Sequence, residues 1–142
     1  MSDESPVREL RLVVTAESAE DYEKALRFYR DALGLPERAA YSSENGHVTI
    51  LEAGRATLEI TDPNHAAFID DVEVGRRVAG HVRVAFQVDD STAVTARLAA
   101  AGAEVVAEPT RTPWDSLNSR LEGPAALQLT LFEQLGEDEG GE

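Results

Sequence analysis

The sequence contains no cysteine, so disulfides, thiolate catalysis and cysteine-held metals are all excluded. It has no apolar run near the roughly 18 residues that cross a bilayer. The opening "MSDESPVREL" is acidic and polar, with neither the basic nor the apolar stretch of a signal peptide, which sets a cytoplasmic expectation. Lysine occurs once, at Lys24, against twelve arginines, and Trp114 is the sole tryptophan. No GxSxG, HExxH, P-loop or GxGxxG motif in a βαβ setting occurs. Net charge is −14, which repels phosphate backbones and argues against nucleic acid as a partner. The same charge suits a cationic ligand, or serves solubility alone.

What is present is a repeated pattern. "LRLVVTA", residues 10–16, is rich in β-branched residues and reads as a strand. Ser18 is an N-cap with Asp21 at the N3 position, and the helix it opens runs to about Leu33. Tyr22, Leu26, Tyr29 and Leu33 fall on one helical face, so Tyr29, with Phe28 beside it, is expected to pack on the core. Gly34 and Pro36 stop the helix. A short strand "ERAAYSS", an Asn45-Gly46 turn, "HVTILEA", a Gly54-Arg55 turn and "ATLEITDP" complete a βαβββ order over residues 8–63. Residues 64–82 read as a connector with room for a short helix. The order then restarts: strand 83–90, a helix ending at Gly102, and three strands to residue 134, followed by an acidic tail over 135–142 expected to be disordered.

The restart is an internal duplication. "RLVVTA" from Arg11 matches "RVAFQV" from Arg83 at an offset of 72, and Leu58-Glu59-Ile60 matches Leu129-Thr130-Leu131 at an offset of 71. Each module has one helix for four strands, so the helix covers one sheet face only. Strand alternation places Arg11, Glu59, Arg83, Gln128 and Thr130 on the face away from the helices.

The duplicated frame, with "FYRDALGLP" closing the first helix, "VAFQVDD" opening the second module and "PTRTPW" before the last hairpin, resembles the vicinal oxygen chelate superfamily. That superfamily includes glyoxalase I, extradiol dioxygenases and bleomycin-resistance proteins. The resemblance spans roughly residues 8–134. It implies an α+β fold of two tandem βαβββ modules whose curled mixed sheets surround a cup-shaped cavity, in one domain that pairs as a homodimer. Metal-dependent relatives carry His or Gln on the first strand and Glu on the last strand of each module. Here those positions hold Arg11, Glu59, Arg83 and Thr130, and only Glu59 matches. Arginine is permanently cationic and has no lone pair to offer a metal. A shift of two residues would bring His81 to the ligand position, but it breaks the repeat register.

The resulting expectation is a protein without metal or other cofactor and without catalytic residues. It would hold a small molecule, cationic or aromatic, in the manner of the antibiotic-binding bleomycin-resistance branch. A metal-dependent enzyme of the glyoxalase or dioxygenase type is the alternative, and an interaction module with a filled cup is a third. The candidate ligand contacts are Arg11, Tyr41, Glu59, Phe68, Arg83, Trp114, Gln128 and Thr130. Two readings stay open for several of them. Arg11 or Arg83 either meets ligand or pairs with Glu59, and Trp114 either stacks on a flat ring or plugs the core.

Overall fold

The computed structural model describes residues 5–136. Eight strands form one continuous mixed sheet in the order β2-β3-β4-β1-β5-β8-β7-β6. They are β1 (Val7–Thr15), β2 (Glu37–Ser43), β3 (Gly46–Ala53), β4 (Ala56–Thr61), β5 (Val82–Val88), β6 (Glu104–Arg111), β7 (Ser116–Gly123) and β8 (Leu127–Gln134). Three helices accompany them: α1 (Ala19–Ala25), α2 (Pro63–Glu73) and α3 (Ser91–Ala100). The duplication is therefore a physical one. β1 pairs parallel with β4, β5 pairs parallel with β8, and the modules join where β1 and β5 run antiparallel. In that junction Arg11 faces Ala85, Leu12 faces Val84 and Val13 faces Arg83. The register keeps Arg11 and Arg83 in equivalent places and leaves His81 outside the strand, so the two-residue shift does not occur.

α1 and α3 cover one face. Tyr22 and Leu26 pack with Ala16, Leu51 and Ile60, while Val94 packs with Val88, Leu121 and Leu131. Burying one such leucine or isoleucine is worth about 1.5–3 kcal/mol, so these two clusters hold the helices on the sheet. Ser18 caps α1 by accepting from the Asp21 amide at 3.1 Å, and the Asp21 carboxylate accepts from the Glu17 amide at 2.9 Å. This is a capping box shifted outward by one residue.

The end of the first helix departs from expectation. Residues Leu26–Ala32 form a π-helix, closed by the Leu33 amide donating to the Phe28 carbonyl at 2.8 Å. A π-helix takes an extra residue per turn, so the 3.6-residue face drifts out of register. Leu26 stays buried, but Phe28 is 61% exposed, Leu33 62% and Tyr29 38%. The aromatic pair is not a core contact.

α2 occupies the connector and packs against β3, β6 and β7, on the face opposite α1 and α3. Asp62 caps it, accepting from the His65 amide at 2.9 Å, and Pro63 takes the first helical position, where no amide is needed. The β2–β3 hairpin makes room for this start. Its two-residue loop is Glu44–Asn45, one residue earlier than expected, and Gly46 opens β3 at φ 102°. A Cβ on Gly46 would lie 2.4 Å from the His65 nitrogen and 2.6 Å from Asp62 Oδ1. The α2 N-terminus therefore rests on the bare backbone of Gly46. The expected acidic tail falls largely outside the described residues.

Candidate functional site

Paired residues across a ladder point to the same side, so the register locates the face beneath α2. Thr57 and Glu59 of β4 stand beside Arg11 and Val13 of β1. Thr130 of β8 stands beside Ala85 of β5, with Gln128 two residues before it. Arg120 and Asn118 of β7 pair with Thr130 and Phe132, and complete the face on the far side.

Arg11, Glu59, Arg83, Gln128 and Thr130 come together here, each 7% exposed or less. Arg11 donates from Nε to Glu9 at 3.0 Å and places Nη1 at 3.8 Å from Glu59. Its guanidinium carbon lies 4.7 Å from the centroid of the Phe132 ring, within cation–π range. Glu9 also receives Arg38 at 2.9 Å, and Arg38 donates to Glu52 at 2.7 Å. These bonds raise the Arg38 pKa, against the opposing effect of partial burial, and lower that of Glu52. Arg83 donates to the Thr130 hydroxyl at 2.7 Å.

A second buried set ties α2 to β7. Arg120 is fully buried and donates to Asp70 at 2.7 Å, Glu73 at 2.7 Å and Gln128 at 2.8 Å. Asn118 donates to Glu73 at 2.6 Å, and Ser116 bonds to Asn118. Asp70 further accepts from Arg77 at 2.8 Å and from the amides of Val78 and Ala79 at 2.9 and 2.8 Å. Burial alone would raise the Asp70 carboxyl. The two amides and the Arg120 guanidinium outweigh burial and hold it below its ordinary value. For Arg120, burial lowers the pKa, and Glu73 and Asp70 more than reverse this. Gln128 is part of this set too, donating to Glu122 at 2.9 Å and to the Val78 carbonyl at 3.2 Å.

Of the remaining candidates, Phe68 and Trp114 meet at α2, and Tyr41 is on the edge strand β2. Phe68 is on the helix itself, with ring centroids 6.0 Å from both Trp114 and His65. Tyr41 pairs with Val48 on the edge strand and is 42% exposed. Buried Trp114 Nε1 and Thr57 Oγ1 have no hydrogen-bond partner among the described residues. Sequence reasoning missed Arg120, Asp70, Glu73 and Asn118. The available signal was that Arg120 shares its strand face with Asn118 and pairs with Thr130, where the first module has Ile50 paired with Glu59.

A family model for the Glyoxalase/Bleomycin resistance protein/Dioxygenase superfamily matches residues 11–131. The chain belongs to that superfamily. No curated protein sequence matches it. Among solved structures, methylmalonyl-CoA epimerase from Mycobacterium tuberculosis superposes with a TM-score of 0.67 at 19% identity, covering 96% of this chain and 95% of that one. A superfamily member from Vibrio splendidus 12B01 gives 0.60 at 11% identity over 90% and 99% of the two chains. A mutant 4-hydroxymandelate synthase from Streptomyces coelicolor gives 0.57 at 20% identity over 93% of this chain and 39% of that one. At these identities the likeness is one of fold.

The metal that the superfamily implies does not fit the residues present. Two guanidinium groups and a threonine stand at three of the four positions, and Glu59 already faces the charge of Arg11. Among the described residues, no three His, Asp or Glu side chains are grouped to hold a metal ion.

Proposed function

We propose that this chain is a non-catalytic, metal-free small-molecule-binding protein of the superfamily. It sequesters an antibiotic-like natural product, of the bleomycin type, an enediyne or another polycyclic aromatic compound. The observation that carries the reading is the placement of Arg11 and Arg83. A guanidinium paired with Glu59, and another bonded to Thr130, stand where a metal-dependent relative has its donors. The face keeps polar and aromatic groups suited to recognition. Trp114 Nε1 and Thr57 Oγ1 are buried donors with bonding capacity to spare, and a buried indole N–H usually finds a partner. The deeply buried Arg11, Glu59, Arg83, Gln128 and Thr130 form a fixed floor. The partly exposed Tyr41, Phe68 and Trp114 are the groups a flat ligand meets first.

The alternative is a metal-dependent enzyme of the glyoxalase or dioxygenase type. It is favoured by the activities named for two fold neighbours and opposed by the donor set. A cytoplasmic homodimer with neither nucleic acid nor membrane as partner completes the proposal. No helix among the described residues is long and apolar enough to cross a membrane. The test is a fluorescence titration of Trp114 against a panel of glycopeptide, enediyne and polycyclic antibiotics, with thermal shift alongside. Saturable quenching and a raised melting temperature are expected with at least one class. No response to any member would defeat the reading.

A further inference from the structure

The face opposite α2 carries a second feature, which stands independently of the function just proposed. A cleft of about 660 Å³ lies between the first helix and strands β1 and β4. Leu12, Val14, Leu58 and Ile60 supply its strand side, and Phe28 and Tyr29 its helix side. At Ala16 and His81 it adjoins a second cleft of about 420 Å³ at the end of the sheet, which Thr15, Glu17, Arg77, Gly80 and Pro63 at the start of α2 also line. Both volumes lie within the roughly 300–1,000 Å³ typical of small-molecule sites.

The two parts differ in chemistry. The first is apolar, and its wall is the π-helix, a distortion that recurs at functional sites. Phe28 and Tyr29 stack edge to face, with centroids 4.9 Å apart and planes at 80°, yet Phe28 stays largely in water and Tyr29 partly so. Leu12 is 37% exposed on the strand side. The second part carries Arg77 and His81 beside one acid, Glu17. Arg77 uses Nη1 for Asp70 and the Ala79 carbonyl, and its other nitrogens have no partner among the described residues. Lys24, which lines the apolar part, likewise has no ion-pair partner among the described residues. The nearby Asp21 carboxylate is engaged by the Glu17 amide at the helix N-terminus, where the helix dipole offsets its charge.

We infer that these joined clefts form a binding site for an amphipathic small anion, with an apolar or aromatic body against Phe28, Tyr29 and Leu12 and an acidic group toward His81 and Arg77. A ligand of this kind covers the exposed aromatic pair and meets His81 and the unbonded nitrogens of Arg77 in one step.

The probe is 1-anilinonaphthalene-8-sulfonate, whose fluorescence rises on entering an apolar site. Competition uses 4-phenylbutyrate and 4-phenylbutylamine, which share a body and differ in head charge. The acid is expected to displace the probe about two- to fivefold more effectively than the amine, the scale of a partly exposed charge contact. His81→Glu, at an exposed position that does not threaten folding, is expected to abolish or reverse that preference. Leu12→Trp is expected to fill the cleft and remove the fluorescence gain. Equal displacement by acid and amine, a silent His81→Glu or undiminished probe binding in Leu12→Trp would overturn the inference. So would a wild-type dimer that excludes the probe and becomes monomeric in Leu12→Trp, since a second copy would then cover the face. Trp114 lies on the other side of the sheet, so failure of the antibiotic titration leaves these outcomes unaffected.

Discussion

Asp70 is the residue on which the α2 face turns. It receives Arg120 from β7, Arg77 and two backbone amides from the segment leading to β5, and so joins three parts of the chain through one carboxylate. Breaking a buried ion pair by removing one partner costs about 3–5 kcal/mol, because the other charge stays buried. Here Glu73 still compensates Arg120, so Asp70→Asn is expected to cost about 3 kcal/mol at neutral pH. The pH dependence has a definite sign. The folded-state pKa of Asp70 is depressed, so its contribution is complete above the unfolded value of about 3.9 and fades as pH falls through the folded value. Urea denaturation should therefore show a wide gap between wild type and Asp70→Asn at pH 7 that narrows well below pH 4. An equal gap at both pH values would show that Asp70 acts by packing rather than charge.

At the scale of elements, the contact between the β2–β3 hairpin and α2 depends on one missing methyl group. Gly46→Ala brings a Cβ against backbone and asks alanine to hold φ 102°, while Gly54→Ala meets φ 71° with nothing within 4 Å. Strain of this kind costs about 1–3 kcal/mol. Gly46→Ala is expected to lower the melting temperature clearly more than Gly54→Ala, because it alone carries the added clash. Equal shifts would mean that α2 does not rest on Gly46. The same elements show what could be read in advance. β1, β5 and the offset of 72 were legible because alternation and β-branched residues mark strands locally. α2 was visible only as room for a short helix, because its inward face carries Asp70 and Glu73 beside Ala66 and Ile69. Those acids are buried because of Arg120, about fifty residues away, and no local pattern carries that information. The π-helix was equally hidden, since a 3.6-residue reading of "LRFYRDALG" assigns Tyr29 and Leu33 to the core.

For the whole molecule, the fold and its ligand chemistry separate. Two modules joined through β1 and β5 place four equivalent positions on one face. The side chains at those positions then determine what the face can hold. Arg11 and Arg83 bring fixed positive charge, Glu59 lies 3.8 Å from Arg11, and Thr130 accepts from Arg83. At those four positions a divalent ion would face two cations and one carboxylate, Glu59. Metal content therefore tests the account most directly. The protein is incubated with nickel, zinc, manganese and ferrous iron in turn, desalted, and analysed by native mass spectrometry and elemental analysis. The account predicts no stoichiometric metal under any loading condition. One ion retained per chain, and lost in Glu59→Gln, would contradict it.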